Sequence, residues 1–586
     1  MNFQDVLTML MGLVLFLFGM NLMGEALEKR AGNKLKDILA TLTSSKMKGF
    51  LLGLVVTCII QSSSATTVMV VGFVNSGIMT LAQAIPVIFG SNIGTTITAW
   101  VLSLSGISGD AWYISMLKPD TFVPVLAVLG IVLYMFLNKP KLKDIGLILV
   151  GFATLMFGMD TMSGAVSGLK DVPAFAELLI KFENPVLGVI AGAIITGIIQ
   201  SSSASVGILQ ALAGATGAVT IGATVPIIMG QNIGTCVTAM ISSIGANRNA
   251  KRTAAVHLYF NIIGTVVMLT VFTIVKSVVA IPVLSESANQ VSIAVVHTAF
   301  NVVGTAILFP FTSLLEKLAT LTVGNTKGTG DKTIVLDERL ITTPGIAIAR
   351  CHDVVSEMSA LSVKSLELAF GMFGNFSEKT YDEIEKLEDE VDKYEDAAGT
   401  YLVKLSAANL TPENSREVTK LLHTIGDLER ISDHAVNIAK SLQEMSDKKL
   451  SFSEQANSEL ETMIKAVSEI TSLSHECFTK TDLKTAYLVE PLEQVIDYLK
   501  DKIKKGHIQR LQKEECTIEM GFVLSDLITN LERVSDHCSN IAGCVIELTK
   551  DELSLHEYYH EIKDGDDFRT EYFNKKYNMF MEKYSI

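Results

Sequence analysis

Lysine and arginine are absent from two long stretches of this 586-residue chain, between Gly49 and Leu117 and between Phe182 and Asn247. An anion held by either stretch would meet no permanent positive side chain. Cysteine is scarce: the seven residues (Cys58, Cys236, Cys351, Cys477, Cys516, Cys538, Cys544) form no CxxC pair. That spacing argues against a zinc ribbon or a disulfide scaffold, and free thiols are expected. No Walker loop, nucleophile elbow or HExxH helix occurs, so an ATP-driven step or an enzyme is not indicated. The formal net charge of −14 argues against nucleic acid as a partner. That charge belongs to the part beyond Leu315; the part before it is slightly positive.

What is present up to Leu315 is a series of apolar runs rich in glycine. Segments near 6–24, 81–105, 121–138, 145–163, 220–245, 253–280 and 290–315 approach or exceed the roughly 20 residues that span a bilayer. The first, Val6 to Met23, lacks a basic leading region and a small-residue cleavage site, and its positive charges follow it. It reads as an uncleaved membrane helix with its N-terminus outside. Segments 49–75 and 185–215 are apolar too, but Gln61-Ser62-Ser63-Ser64-Ala65-Thr66-Thr67 interrupts one and Gln200-Ser201-Ser202-Ser203-Ala204-Ser205-Val206 the other. Such strings are costly in a membrane unless they line a cavity or bind something. Broken or re-entrant helices fit better than surface loops.

The two halves repeat at an offset of about 139 residues. Phe18-Gly19-Met20-Asn21 matches Phe157-Gly158-Met159-Asp160, and Thr57 through Ala65 matches Thr196 through Ala204. Pro86 and Gly90-Ser91-Asn92-Ile93-Gly94-Thr95 match Pro226 and Gly230-Gln231-Asn232-Ile233-Gly234-Thr235. Equivalent loops carry opposite charge bias: Lys29, Arg30, Lys34, Lys36, Lys46 and Lys48 face Lys170, Asp171, Glu177, Lys181 and Glu183, while Asp110, Lys118 and Asp120 face Arg248, Lys251 and Arg252. By the positive-inside rule the repeats insert upside down relative to each other. With both broken segments re-entrant, seven crossings leave everything after residue 315 in the cytoplasm. A shorter echo, His257/Asn261 and His297/Asn301, places His and Asn on one helix face, either as interhelical packing partners or as support for the site.

Beyond a Gly-rich linker, six amphipathic helices are predicted near 344–375, 377–408, 411–446, 450–480, 486–509 and 513–550, forming two antiparallel three-helix units. They are duplicated as well, Leu428 to Ala439 matching Leu531 to Ala542. The fold class is therefore all-α: a polytopic membrane protein with inverted repeats and broken helices, plus a cytoplasmic pair of three-helix bundles. Expected boundaries are 1–315 for the membrane domain (repeat one about 5–138, repeat two about 145–280, a final helix 290–315), 316–340 for the linker, 341–552 for the bundles and 553–586 for a tail lying on them.

Where a helix breaks, the half-helix that follows points free N–H groups and a partial positive charge into the gap, which suits a phosphate-like or carboxylate anion. Unwound carbonyls and Ser, Thr or Asn oxygens suit Na+. Dipoles alone compensate a doubly charged anion poorly where the dielectric is low. Cation-coupled anion uptake, with Na+ neutralising the substrate, is the expectation. Asp160 is the one acid in the apolar cores of the duplicated helices, with Asn21 as its counterpart; it is read either as tuning the coupling or as a solvated helix-end acid.

The paired Gln-Ser-Ser-Ser elements with downstream Gly-x-Asn-Ile-Gly-Thr resemble the type II sodium/phosphate cotransporter family in its bacterial form. The resemblance implies Na+-driven uptake of inorganic phosphate across the plasma (bacterial inner) membrane. It implies substrate binding by Gln61, Ser62, Ser63, Ser64, Gln200, Ser201, Ser202 and Ser203, with Thr66 and Ser205 nearby. Asn92, Thr95, Asn232 and Thr235 are candidates for the sodium or substrate shell. The second repeat departs from the first after its serines, with Ala204-Ser205-Val206 for Ala65-Thr66-Thr67.

The bundles resemble the PhoU family of phosphate-regulatory proteins, with Glu-x-x-x-Asp pairs that project two carboxylates from one helix face. The pairs are Glu388/Asp392, Glu429/Asp433, Glu493/Asp497 and Glu532/Asp536. The resemblance implies bound divalent or ferric metal, His434 and His537 being further ligand candidates. A solvated helix face is the alternative. Other functional readings are a membrane-anchored phosphate-signalling protein without active transport and a transporter of another oxyanion. A homo-oligomer or a cytoplasmic regulatory partner is compatible with any of them.

Overall fold

The computed structural model describes residues 3–41, 45–107, 118–137, 139–172, 184–324, 336–408, 410–549 and 568–586. The centre of the linker (325–335), the loop charges at Asp110, Glu177, Lys181 and Glu183, and the start of the tail (553–567) lie outside the described residues. No strand forms among those described; an isolated bridge joins Thr220 and Ser287. The chain divides into two compact units, Met1–Asp331 and Lys332–Ile586.

The first unit contains α1 (Phe3–Thr41), α2 (Lys46–Ile60), α3 (Ser63–Asn75), α4 (Leu81–Gly94), α5 (Thr96–Ser103), α6 (Pro119–Phe136) and α7 (Pro140–Val166). It continues with α8 (Pro185–Ile199), α9 (Ser202–Thr216), α10 (Ile221–Ser242), α11 (Arg248–Val278), α12 (Gln290–Leu308) and α13 (Thr312–Val323). Among the described residues seven helical stretches are long and apolar enough to cross a membrane, and they coincide with the seven apolar segments of the sequence. The outer side chains agree: Val125, Val128, Met135 and Phe136 of α6 are all exposed. An apolar surface of that extent is stable against hydrocarbon and not against water.

Glycine lets the repeats touch backbone to backbone. A Cβ built on Gly19 would fall 2.3 Å from the Leu155 nitrogen, and one on Gly158 would fall 2.3 Å from the Phe16 nitrogen. Gly12 meets Met162 while Gly19 meets Leu155, so α1 and α7 run antiparallel. These helices carry the two Phe-Gly-Met elements. Small residues drive such close packing where lipid offers no hydrophobic contrast. The pairs α2/α4 and α8/α10 are built alike: a Cβ on Gly53 would lie 1.9 Å from the Val87 oxygen, and one on Gly192 would lie 2.1 Å from the Ile227 oxygen.

The second unit contains α14 (Pro344–Gly371), α15 (Glu378–Ser406), α16 (Pro412–Asp447), α17 (Glu454–Lys480), α18 (Leu483–Gln512), α19 (Ile518–Thr549) and α20 (Phe568–Lys583). The first six are the predicted helices. Their periodic apolar positions form the core, among them Met358, Val391, Leu428 and Ile438 in one trio and Met463, Val489, Leu531 and Ile541 in the other. The tail helix α20 packs on the second trio: Phe580 and Tyr584 are buried, and Lys583 bonds Glu469 of α17 at 2.8 Å.

Candidate functional site

Gln61 ends α2 at φ 58°, ψ 21°, and Gln200 ends α8 at φ 59°, ψ 21°. Left-handed backbone is unfavourable by on the order of 1 kcal/mol for a residue other than glycine, and it persists when surrounding structure over-determines it. Each glutamine N–H still closes its own helix, onto Thr57 O at 2.8 Å and Thr196 O at 2.7 Å. The next residue turns extended and caps the new helix: Ser62 Oγ accepts from Ala65 N and Ser201 Oγ from Ala204 N, both at 3.2 Å. The expected breaks are therefore two residues wide, and α3 and α9 begin on Ser63 and Ser202. Their first-turn N–H groups and positive dipole ends face the gaps.

The breaks meet. Ser64 Oγ donates to the Gln200 carbonyl at 3.3 Å, across the two repeats. Ser63, Ser202 and Ser203 are 4%, 4% and 5% exposed, yet their hydroxyls make no hydrogen bond within the described residues. Unlike the enclosed hydroxyl of Thr67, theirs keep access to the gap, a cluster of donors beside two helix N-termini. Behind them Thr57 Oγ1 lies 3.0 Å from Thr66 Oγ1 and 2.8 Å from Ser91 Oγ. In the second repeat Thr196 Oγ1 bonds Ser205 Oγ at 2.8 Å, and Gln231 Nε2 donates to Ser205 O at 3.1 Å. Thr57 and Thr196 were not singled out in the sequence, although they open the longest matched segment of the membrane repeats.

The four shell candidates turn their donors back on their own helices. Asn92 and Asn232 donate to the carbonyls of Ile88 and Ile228, and Thr95 and Thr235 donate to those of Ser91 and Gln231. What they retain is oxygen lone pairs, the ligand type a hard cation takes. The His–Asn echo is buried. Asn261 and Asn301 donate within their helices to His257 O and His297 O, and Asn261 also reaches Cys236 Sγ at 3.3 Å.

In the second unit, ligand oxygens of Glu493, Asp497 and Asp536 lie within 4.8 Å of one another. Burial first, then the charges of Glu490 and Asp497, push Glu493 up to about 8. Burial and the Glu532 charge push Asp536 up to about 6. Glu532 itself pairs with Lys500 at 2.7 Å. No comparable trio forms from Glu388, Asp392, Glu429 and Asp433 among the described residues, but burial and Asp433 push Glu429 up to about 7, and burial with neighbouring acids raises Glu388 and Asp392. Carboxylates that hold protons against one another are groups a cation would ionise. His434 and His537 stack with ring centroids 5.7 Å apart. Their Nδ1 atoms are engaged by Asn530 at 2.8 Å and Asp427 at 2.9 Å, which joins the two trios.

Comparison with known proteins follows the same division. The family described as Na+/Pi-cotransporter matches residues 15–164 and 172–308, and the PhoU domain family matches 355–442 and 460–545. YqeW of Bacillus subtilis is 30% identical over 262 residues, 44% of this chain and 80% of its own. The "Putative inorganic phosphate export protein YjbB" of Escherichia coli O157:H7 is 22% identical over 574 residues, covering 94% of this chain and 99% of its own. The "Sodium-dependent phosphate transport protein 2A" of Ovis aries is 37% identical over 98 residues, 16% of this chain and 15% of its own. With seven apolar spans and both family matches in register with the two units, the chain is a multi-pass membrane protein of the Na+/Pi-cotransporter family of phosphate transporters, not an enzyme, and carries a C-terminal PhoU domain.

Proposed function

We propose that this protein imports inorganic phosphate in symport with Na+, and that its PhoU-like unit regulates that transport from the cytoplasm. The convergence of two left-handed breaks at Ser64 and Gln200, in segments without lysine or arginine, carries the reading. Gln61, Ser62, Ser63, Ser64, Thr66, Gln200, Ser201, Ser202, Ser203 and Ser205 form the oxyanion site, and Asn92, Thr95, Asn232 and Thr235 supply oxygens to Na+. A phosphate dianion facing only dipoles is stabilised when cations enter with it. The name of the sheep relative, sodium-dependent phosphate transport, supports the coupling. The antiparallel packing of the two Phe-Gly-Met helices supports inverted repeats, and alternating access would rock one repeat against the other.

Domain limits of 1–315, 316–340, 341–552 and 553–586 accompany this reading. So does metal binding by the acidic sets Glu388/Asp392/Glu429/Asp433 and Glu493/Asp497/Glu532/Asp536. Elemental analysis of wild-type protein that finds no metal would remove the latter.

Export is the second reading, favoured by YjbB, whose name specifies phosphate export and whose match extends along nearly the whole chain. Proteoliposomes with labelled phosphate and imposed Na+ gradients separate the two. Accumulation that follows an inward Na+ gradient supports import. Efflux that ignores Na+ supports export and ends the symport reading.

A further inference from the structure

The two breaks share a backbone and differ in their side chains. Gln61 is 8% exposed; its Oε1 accepts from Thr98 Oγ1 at 2.9 Å, and its Nε2 donates to Cys58 O at 2.5 Å. Gln200 is exposed, and its carboxamide makes no hydrogen bond within the described residues. Thr238 stands where Thr98 stands, by the same offset that relates Asn92 to Asn232. Its hydroxyl is buried and has no partner. A further difference accompanies this one. Ser64 Oγ reaches the Gln200 carbonyl, while no reciprocal bond joins Ser203 to Gln61.

A buried hydroxyl without a partner is unfavourable, and the group that satisfies its counterpart stands idle at the mouth of the same break. We infer that Gln61–Thr98 and Gln200–Thr238 are two copies of one latch, held here at opposite settings, and that the transport cycle exchanges them. Closing Gln200 onto Thr238 gives the orphaned hydroxyl the acceptor that Thr98 already has. Opening Gln61 leaves Thr98 without that acceptor, the setting Thr238 has here. A two-state element of this kind lets one repeat seal as the other opens, as alternating access demands. Thr98 and Thr238 are then positioning residues for the break glutamines. The inference rests on the transport reading above.

The decisive variant is Thr238→Val, assayed as the full chain in proteoliposomes under an inward Na+ gradient. A hydroxyl that is merely buried predicts a valine variant at least as active and as heat-stable as wild type, because the unpaired group has gone. The latch predicts a kcat at least tenfold lower with KM within about threefold, an unchanged or raised melting temperature, and recovery in Thr238→Ser. Thr98→Val should show the same split, and Thr238→Ala repeats the test should the valine variant not fold. Wild-type turnover in both Thr238→Val and Thr238→Ala overturns the latch while leaving transport standing. A wild-type protein that moves no phosphate overturns transport and the latch together.

Discussion

Divalent-cation binding at the Glu493–Asp497–Asp536 cluster should weaken about 100-fold between pH 8 and pH 6. A metal takes these groups as carboxylates, so every proton they hold must leave first. With Glu493 at about 8, roughly half of it is ionised at pH 8 and about one part in a hundred at pH 6. Asp536, at about 6, is ionised at pH 8 and half protonated at pH 6. Together these shifts give the 100-fold loss, about 3 kcal/mol. The metal-free fold responds with the opposite sense. A carboxyl whose folded pKa lies above its unfolded one contributes stability that is fully present below about pH 4.5 and lost as pH rises through about 8. Acid therefore favours the empty fold and disfavours the loaded one. Mn2+ titration of the detergent-solubilised full chain at pH 6, 7 and 8 measures the effect, with Glu493→Gln expected to flatten most of the dependence. A change smaller than threefold across that range would refute the argument.

Replacing Ser63 or Ser202 by alanine removes a hydroxyl that opens on the gap and makes no hydrogen bond among the described residues, so phosphate uptake should fall at least tenfold while expression persists; normal uptake in both variants would displace the proposed site. Gly53→Ala and Gly192→Ala place a methyl about 2 Å from a carbonyl oxygen of the neighbouring helix. Each should destabilise the membrane unit by about 2–3 kcal/mol, read as a lower melting temperature in detergent. Phe580→Ala removes the buried anchor of α20 at a cost of about 3 kcal/mol, so limited proteolysis should release the tail before it cuts the six-helix unit; equal cleavage of wild type and variant would contradict that docking.

Much of this architecture was legible in the chain because membrane helices announce themselves by length and soluble ones by period. The glutamine–serine strings were readable as breaks because four polar side chains cannot continue through hydrocarbon without a partner. Thr57, Thr196 and Ser91 were not picked out, since a threonine or serine within an apolar helix looks the same whether it bonds its own turn or a neighbouring helix. Lys500 was likewise mute: its pairing with Glu532 depends on the register of α18 against α19, which side-chain packing decides. The histidines beside Asp433 and Asp536 suggested ligands by adjacency, but packing between the trios turned their Nδ1 atoms to Asn530 and Asp427.

The sequence by itself determined that there are two membrane repeats and two soluble ones, where the apolar helices break, and that no fixed cation lies in either broken segment. Those properties are local, set by solvation and period within a few turns. Only tertiary structure decided that the two breaks meet at Ser64 and Gln200, that Gln61 is held while Gln200 is free, and that three of eight candidate acids converge. Contacts between residues on separate helices, 37 positions apart for Gln61 and Thr98 and 136 for Ser64 and Gln200, depend on how whole helices pack, and close glycine-to-backbone approach sets that packing.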